Sequence, residues 1–366
     1  MASAADSAAL GAPAGGRPAA ARLRELSGLA GRAFPAILAA VLVLMVALVG
    51  VRSGGTTTAA ELRNGLTIGA VYALIAVGYT MVYGIIELIN FAHGDVFTLS
   101  AFYAIFLAEL SKVLGLDLDK LATGSTLGFF AALGVLLPAT MIAAGLTGVL
   151  IERVAYRRLR NSPRIAALIT AVGVSFIIEG FLFLTQGATN VRTGKAEWIQ
   201  GNAFTLGGVV ITWRDIFVFF AALALMFLLQ AFVRYTRLGK AMRATAQDRD
   251  AALLTGVNIN RTISATFFIG SALAAAGGII YSVKDDLVVW NLGFRFGIIA
   301  FTCAVLGGIG NIVGAGVGGF LIGLIQVFGG QLIGSAWDNV IIFAMLIIVL
   351  VFRPTGLFGL RVPDRA

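Results

Sequence analysis

The sequence predicts an all-α membrane protein, a polytopic transmembrane helical bundle of about 8–10 spans with a short cytoplasmic helix between two of them. Only 12% of the 366 residues are charged and 59% are hydrophobic, whereas a soluble domain carries about 25% charged residues. Apolar runs recur at lengths near the roughly 20 residues that cross the hydrocarbon core. Basic residues gather in a few segments between these runs, as orientation signals do.

Charge and cysteine content exclude several other classes. The formal net charge is +9, but the basic residues lie between apolar runs, so we exclude nucleic acid as a partner. The single cysteine, Cys303, lies in an apolar run, which excludes an intrachain disulfide and a zinc site built from cysteines. The 46 glycines indicate close helix packing inside membrane lipid.

The composition divides the chain into four parts. Residues 1–33 are rich in Ala, Gly and Pro, contain several arginines, and are interpreted as a mostly disordered basic cytoplasmic tail. Residues 34–58 form an extra N-terminal span and connector, in which Phe34–Val51 is either a signal peptide or an uncleaved span. We prefer the span, because no small-residue cleavage site closes it. Residues 59–354 are the main transmembrane domain, and 355–366 are a cytoplasmic tail.

The remaining spans follow from the apolar runs in chain order. They are Asn64–Ile86, Val96–Leu110, Ser125–Ile151, Ile165–Leu184, Asp215–Val233, Thr262–Tyr281, two segments of Gly297–Gly334 divided near Asn311, and Asp338–Phe352. Together with the first span this predicts about ten crossings. An even number places both termini on the cytoplasmic side, together with the basic segments Arg153–Arg164 and Arg234–Asn260.

The segment Arg234–Asn260 is the longest strongly polar passage between two apolar runs. Its alanines and leucines favour a helix, and Gly256 provides a helix stop, so we predict a short basic helix over 239–256. Two interpretations stay open. The helix is a docking element for a cytoplasmic partner, or the segment is a solvated positive-inside loop.

A second polar stretch, ELINFAHGD, concentrates Glu87, Asn90, His93 and Asp95 between two apolar runs. Polar backbone at membrane depth is tolerated where it lines a cavity or is buried in protein, so this is interpreted as a re-entrant or broken segment on a translocation path. The alternative is a tight interfacial turn made by Gly94 and Asp95. One histidine and scattered carboxylates do not form a metal site.

Glu179 is the deepest carboxylate in the predicted spans, and burying it alone costs about 2.5–3.5 kcal/mol. It lines water, is protonated, or lies nearer an interface. No second carboxylate of comparable depth is expected, which argues against ion coupling. The chain also lacks the phosphate-binding P-loop pattern, because both Gly-Lys pairs, at 194–195 and 239–240, are followed by Ala.

Glycines at intervals of four mark the last third of the chain. Gly310, Gly314 and Gly318 are predicted to share one helix face and to allow close helix packing, with a hinge as the alternative.

Four stretches resemble the branched-chain amino acid ABC transporter permease family, of the high-affinity leucine/isoleucine/valine type. They are NGLTIGAVYALIAVGYTMVYGIIELINFAHGDVF, ERVAYRRLRNSPRIAALITAVGVS, AQDRDAALLTGVNINR and AVLGGIGNIVGAGVGGFLIG, which occur in the family's order over about 64–354. Residues 1–58 lie outside the resemblance. Glu87 stands where a small or neutral residue is expected.

The resemblance implies the membrane half of a bacterial inner-membrane importer, without a catalytic site or a cofactor of its own. Its implied partners are two cytoplasmic ATPases that use ATP, a second or homologous permease, and an extracytoplasmic substrate-binding protein. The implied ATPase-coupling loop comprises Gly239, Arg243, Asp250, Ala251, Ala252 and Gly256. The implied translocation path comprises Asn90, Phe91, His93 and Gly94, to which we add Asp95 and Glu179.

Other functions stay as alternatives. Similar permeases carry urea or short amides in place of branched-chain or related small hydrophobic amino acids. A gradient-driven secondary carrier is a different transport class. A membrane enzyme using His93 and Asp95 lacks a visible second base.

Overall fold

The computed structural model describes residues 19–160 and 162–359. Its helices are α1 Ala19–Ile86, α2 Ala92–Val113, α3 Leu118–Gly124, α4 Thr126–Ile151, α5 Arg164–Gln186, α6 Trp213–Tyr235, α7 Arg237–Gln247, α8 Arg249–Leu254, α9 Ile259–Asp285, α10 Leu292–Gly307, α11 Ile312–Ile333 and α12 Asp338–Phe352. A π-helical turn, Glu152–Tyr156, and a 3₁₀ turn, Arg157–Leu159, extend α4. The predicted helical bundle is confirmed.

Two small antiparallel sheets lie at one end of the bundle. Strand β1 Val191–Arg192 pairs with β4 Leu287–Val288, and β2 Asn202–Leu206 forms a hairpin with β3 Val209–Thr212. The first three strands lie in the polar excursion between α5 and α6. The segment between α2 and α4 contains α3, which Asp117 caps by accepting from the Lys120 amide.

Helix α1 doubles back at Gly54. This residue has a φ of 85°, and a Cβ added to Gly50 would lie 3.6 Å from Thr58 Oγ1. In a straight helix, eight residues separate such positions by about 12 Å. The predicted spans Phe34–Val51 and Asn64–Ile86 therefore lie on two arms of one hairpin. The helix starts at Ala19, inside the predicted tail, whose residues 1–18 lie outside the described residues.

The number of crossings agrees with the prediction of about ten. Within the described residues, 8 helices are long and apolar enough to cross a membrane, and the first of them covers Ala33–Ile86. Counting its two arms separately and adding the shorter α10 gives ten. Both ends of the described chain then lie on one side.

Hydrogen bonds between distant loops define the two ends of the bundle. At one end Arg160 donates to Asn260, and Asn311 donates to the carbonyl of Phe358. Because arginines crowd this end, the positive-inside rule makes it cytoplasmic. At the other end Lys195 pairs with Asp119.

Glycines set the closest helix contacts in the core. A Cβ at Gly323 would lie 2.5 Å from Gly69 Cα, and one at Gly319 would lie 2.6 Å from Ala73 Cβ, so α11 packs directly on α1. Gly314 and Gly318 face the backbone of α10. The prediction that Gly310 shares their helix face is wrong. This residue lies in the turn before α11, with a φ of 89°, because the helix begins only after the Asn311 N-cap.

Candidate functional site

The predicted basic helix is two helices, α7 and α8, which meet at Asp248. The Thr236 hydroxyl caps α7 by accepting from the Gly239 amide at 3.0 Å. Asp248 interrupts the helix because its extended backbone places its carboxylate at the start of α8, where it accepts from the Asp250 and Ala251 amides at 2.9 and 3.0 Å. Such a side chain satisfies free amides of a helix N-terminus. The prediction of one continuous helix is wrong for this reason.

Both helices are hydrogen-bonded to the inner end of the bundle. Arg249 on α8 donates to the carbonyl of Ile86, the last residue of α1, at 2.8 Å. Arg243 on α7 donates to the carbonyl of Val233 near the end of α6. A Cβ on Gly239 would lie 2.6 Å from the Phe232 carbonyl oxygen, so α7 packs against α6 backbone. A displacement of α7 and α8 is therefore transmitted to two spans.

The opposite surface of α8 carries two neighbouring leucines that are largely exposed in the described part of the chain. Leu253 is 61% exposed and Leu254 is 89% exposed, whereas Ala252 is buried against the bundle. Asp250 and Ala251 are exposed beside them, and Gly256 ends the segment with a φ of 85°. Neighbouring leucines exposed on the cytoplasmic side favour a protein contact over a solvated loop.

A cleft of about 400 Å³ opens beside α7, and its walls include the 85–88 segment and Arg160. Near it the fully buried Glu152 accepts from Arg157 at 2.8 Å and from Ser264 at 2.7 Å, and it pairs with Arg160. Sequence reasoning missed Glu152 because it lies at the boundary between a predicted span and a basic segment. Its position as the lone carboxylate among arginines was the available signal.

The polar stretch after α1 returns into the bundle. Asn90, His93 and Asp95 are buried, at 4%, 1% and 0% exposed. The Tyr156 hydroxyl donates to Asn90 Oδ1 at 3.1 Å, and His93 lies edge-on to Tyr79 with ring centroids 5.6 Å apart. This burial matches the broken-segment interpretation and contradicts a turn at the membrane surface.

The buried carboxylates Asp95 and Glu179 lie on adjacent helices. The Ser175 hydroxyl on α5 donates to Asp95 on α2, and Glu179 lies one turn further along α5. Both carboxylates are less than a tenth exposed, and each keeps one oxygen without a hydrogen-bond partner among the residues that the structure describes. The expectation that Glu179 has no deep carboxylate neighbour is wrong, because packing of α2 on α5 brings Asp95 to it.

The remaining two path residues contact α10. A Cβ on Gly94 would lie 2.6 Å from Gly297 Cα, so the backbones of α2 and α10 touch at this level. Phe91 packs on Phe301 of α10 with ring centroids 6.2 Å apart. The predicted path residues thus contact α1, α5, α10 and the π-helical turn that follows α4.

The structure is a bundle of ten crossings with a polar layer at its centre. A helix with exposed apolar side chains is hydrogen-bonded to its cytoplasmic surface. These features define the membrane-spanning subunit of a transport system. The family model for the branched-chain amino acid transport system permease component matches residues 61–350. The chain belongs to this family and, like its relatives, is a multi-pass protein of the bacterial inner membrane.

Individual relatives agree with this assignment. The permease protein BraD of a high-affinity branched-chain amino acid transport system in Pseudomonas aeruginosa is 41% identical over 82% of this chain and 95% of its own length. The permease protein LivH of the corresponding system in Escherichia coli is 38% identical over 82% of this chain and 94% of its length. The Escherichia coli ribose import permease RbsC is 26% identical over 85% of this chain and 90% of its length.

Proposed function

We propose that this chain is the permease subunit of an ABC importer and translocates branched-chain amino acids across the inner membrane. The observation that carries the proposal is α8, a capped helix that is fastened to α1 and presents Leu253 and Leu254 to the cytoplasm. A transport subunit without a P-loop needs an external source of energy. An exposed apolar helix on the cytoplasmic surface is a suitable contact for an ATPase that supplies it.

The hydrogen bond from Arg249 to the Ile86 carbonyl connects the ATPase contact on α8 to the end of a membrane span. Residue 86 ends α1, and the polar stretch that carries Asn90, His93 and Asp95 follows directly. Closure of an ATPase dimer against α8 displaces the end of α1 and hence this stretch. The layer between α2, α5 and α10 then opens to one side of the membrane at a time, driven by the contacts that differ between the two states.

The complex contains two ATPase subunits that use ATP, a second copy of this chain or a homologous permease, and an extracytoplasmic substrate-binding protein. Asp250, Ala251 and Gly256 belong to the coupling surface, Ala252 packs this segment on the bundle, and Gly239 and Arg243 hold it in place. Support for the substrate comes from the names of BraD and LivH. The translocating residues are Asn90, Phe91, His93, Gly94, Asp95 and Glu179.

The test replaces both exposed leucines of α8 by aspartate, as Leu253→Asp with Leu254→Asp. Because these side chains are exposed, the bundle keeps its thermal stability, while the apolar contact is lost. In proteoliposomes, leucine uptake and substrate-stimulated ATP hydrolysis are expected to fall at least about tenfold. This corresponds to a loss of about 1.4 kcal/mol in the free energy of the contact. Leu114→Asp is the matched control, because it places the same change at an exposed leucine after α2.

Two results contradict the proposal. In one, the double variant retains full uptake and full stimulated hydrolysis. In the other, uptake by the unaltered complex survives ATP depletion and collapses with an uncoupler, as in a gradient-driven carrier.

A further inference from the structure

Two cavities adjoin at the outer end of the bundle, between the second arm of α1, α6 and the β2–β3 hairpin. One is an apolar groove of about 310 Å³, and the other is a polar cavity of about 350 Å³. Arg63, Thr67 and Asp215 line both of them. The groove and the cavity therefore form one continuous amphiphilic site.

The groove faces the hydrocarbon side of the bundle. Its walls include Leu66 on α1, Phe219 on α6 and Ile211 on the hairpin. Phe204 and Leu206 of the hairpin are 51% and 65% exposed, and Phe220 beside them on α6 is 63% exposed. Apolar side chains that project from an outer hairpin are stable when it lies at the lipid interface. The groove thus opens at the depth of lipid acyl chains.

The polar cavity carries an excess of positive charge. Arg63, Arg214 and Lys284 line it, with Asp215 as the carboxylate among them. The terminal nitrogens of Arg63 donate to the Val210 carbonyl and to Asn64 Oδ1, while its buried Nε lies 3.9 Å from Asp215 and makes no hydrogen bond within the described residues. Arg214 donates to the Ala196 carbonyl at 2.8 Å, whereas the Lys284 ammonium has no partner in the described part of the chain. The cavity therefore attracts an anion.

We propose that this site binds one anionic phospholipid of the outer leaflet, with an acyl chain in the groove and the phosphate in the polar cavity. Charge complementarity selects this occupant. A zwitterionic lipid leaves the excess cationic charge uncompensated, and a free phosphate ion occupies the polar cavity alone and leaves the apolar groove unfilled. The bound lipid adds to the direct contacts that Arg63 of α1 already makes with Val210 of the hairpin and Asp215 of α6.

The experiment measures lipid binding to the purified, delipidated permease complex by native mass spectrometry and thermal unfolding. The probes are dioleoyl phosphatidylglycerol, dioleoyl phosphatidylcholine and inorganic phosphate. The head-group variant is Lys284→Gln, and the groove variant is Ala59→Trp, which fills the apolar cavity from α1. Lys120→Gln is the matched control, because it removes an exposed positive charge at the same end of the bundle.

The expected result is one retained phosphatidylglycerol for each permease chain and an increase in thermal stability that phosphatidylcholine does not reproduce. Lys284→Gln weakens phosphatidylglycerol binding about fivefold, which corresponds to the roughly 1 kcal/mol of one lysine near a membrane anion. Ala59→Trp abolishes it, and Lys120→Gln leaves it unchanged.

Three results overturn the proposal. Equal binding of phosphatidylcholine removes the role of the cationic cavity. Equal stabilisation by inorganic phosphate removes the role of the groove. Cross-linking of a cysteine at Ala59 to a second permease chain assigns the groove to a protein interface.

Discussion

Replacing Gly94 by alanine tests whether the contact between α2 and α10 controls the polar layer. The new Cβ would lie 2.6 Å from Gly297 Cα, whereas ordinary contacts begin at 3.4 Å. The Gly293 carbonyl oxygen lies closer still to the new Cβ. One backbone must therefore move by more than about 0.8 Å, and overpacking of this kind costs about 1–3 kcal/mol. Because Gly94 lies between His93 and Asp95, the same movement displaces both polar side chains.

The measurement combines thermal unfolding of the solubilised protein with leucine uptake in proteoliposomes. Gly94→Ala is expected to lower the free energy of unfolding by that amount and to reduce uptake. Gly134→Ala is the matched control, since a Cβ there meets nothing within 4 Å and alanine is the better helix former by about 1 kcal/mol. Equal stability and uptake of Gly94→Ala and the unaltered protein would refute the reasoning.

Two further predictions address the inner end and the core. Glu152→Gln removes the buried charge that Arg157 and Arg160 share, while both arginines keep access to solvent, so we expect about 1.5–3 kcal/mol of destabilisation in thermal unfolding. Unchanged stability would show that the cluster is solvated. Cys303 is fully buried in α10, so maleimide should label it only after denaturation. Rapid labelling of the native protein would contradict the packing of α10 on α11.

Much of the fold follows from apolar length, because each span of this bundle must satisfy its backbone inside lipid. Asn311 divides the glycine-rich region, as predicted, because its side chain caps α11. An N-cap at Asn311 also means that Gly310 precedes the helix. The four-residue spacing of the glycines alone does not reveal where the helix begins. Asp248 likewise has the chemistry of an N-cap, which an interpretation based on helix propensity overlooks.

The polar layer was only partly predictable. The polar stretch around His93 is visible in the sequence because it interrupts two apolar runs. Its proximity to Glu179 depends on how α2 packs on α5, and no local pattern encodes that packing. No local pattern predicts the hydrogen bond from the Ser264 hydroxyl to the Glu152 carboxylate either. Its two oxygens lie 2.7 Å apart, although the residues belong to distant segments.

The most direct test of the central claim is cross-linking at the tip of α8. A cysteine at Leu254, in a Cys303→Ser background, is expected to cross-link to the cytoplasmic ATPase in membranes, with a yield that changes when ATP is bound. A cysteine at Leu114 should give no such product. Labelling of the Leu254 cysteine by an impermeant reagent from the outside, with no ATPase cross-link, would contradict the account.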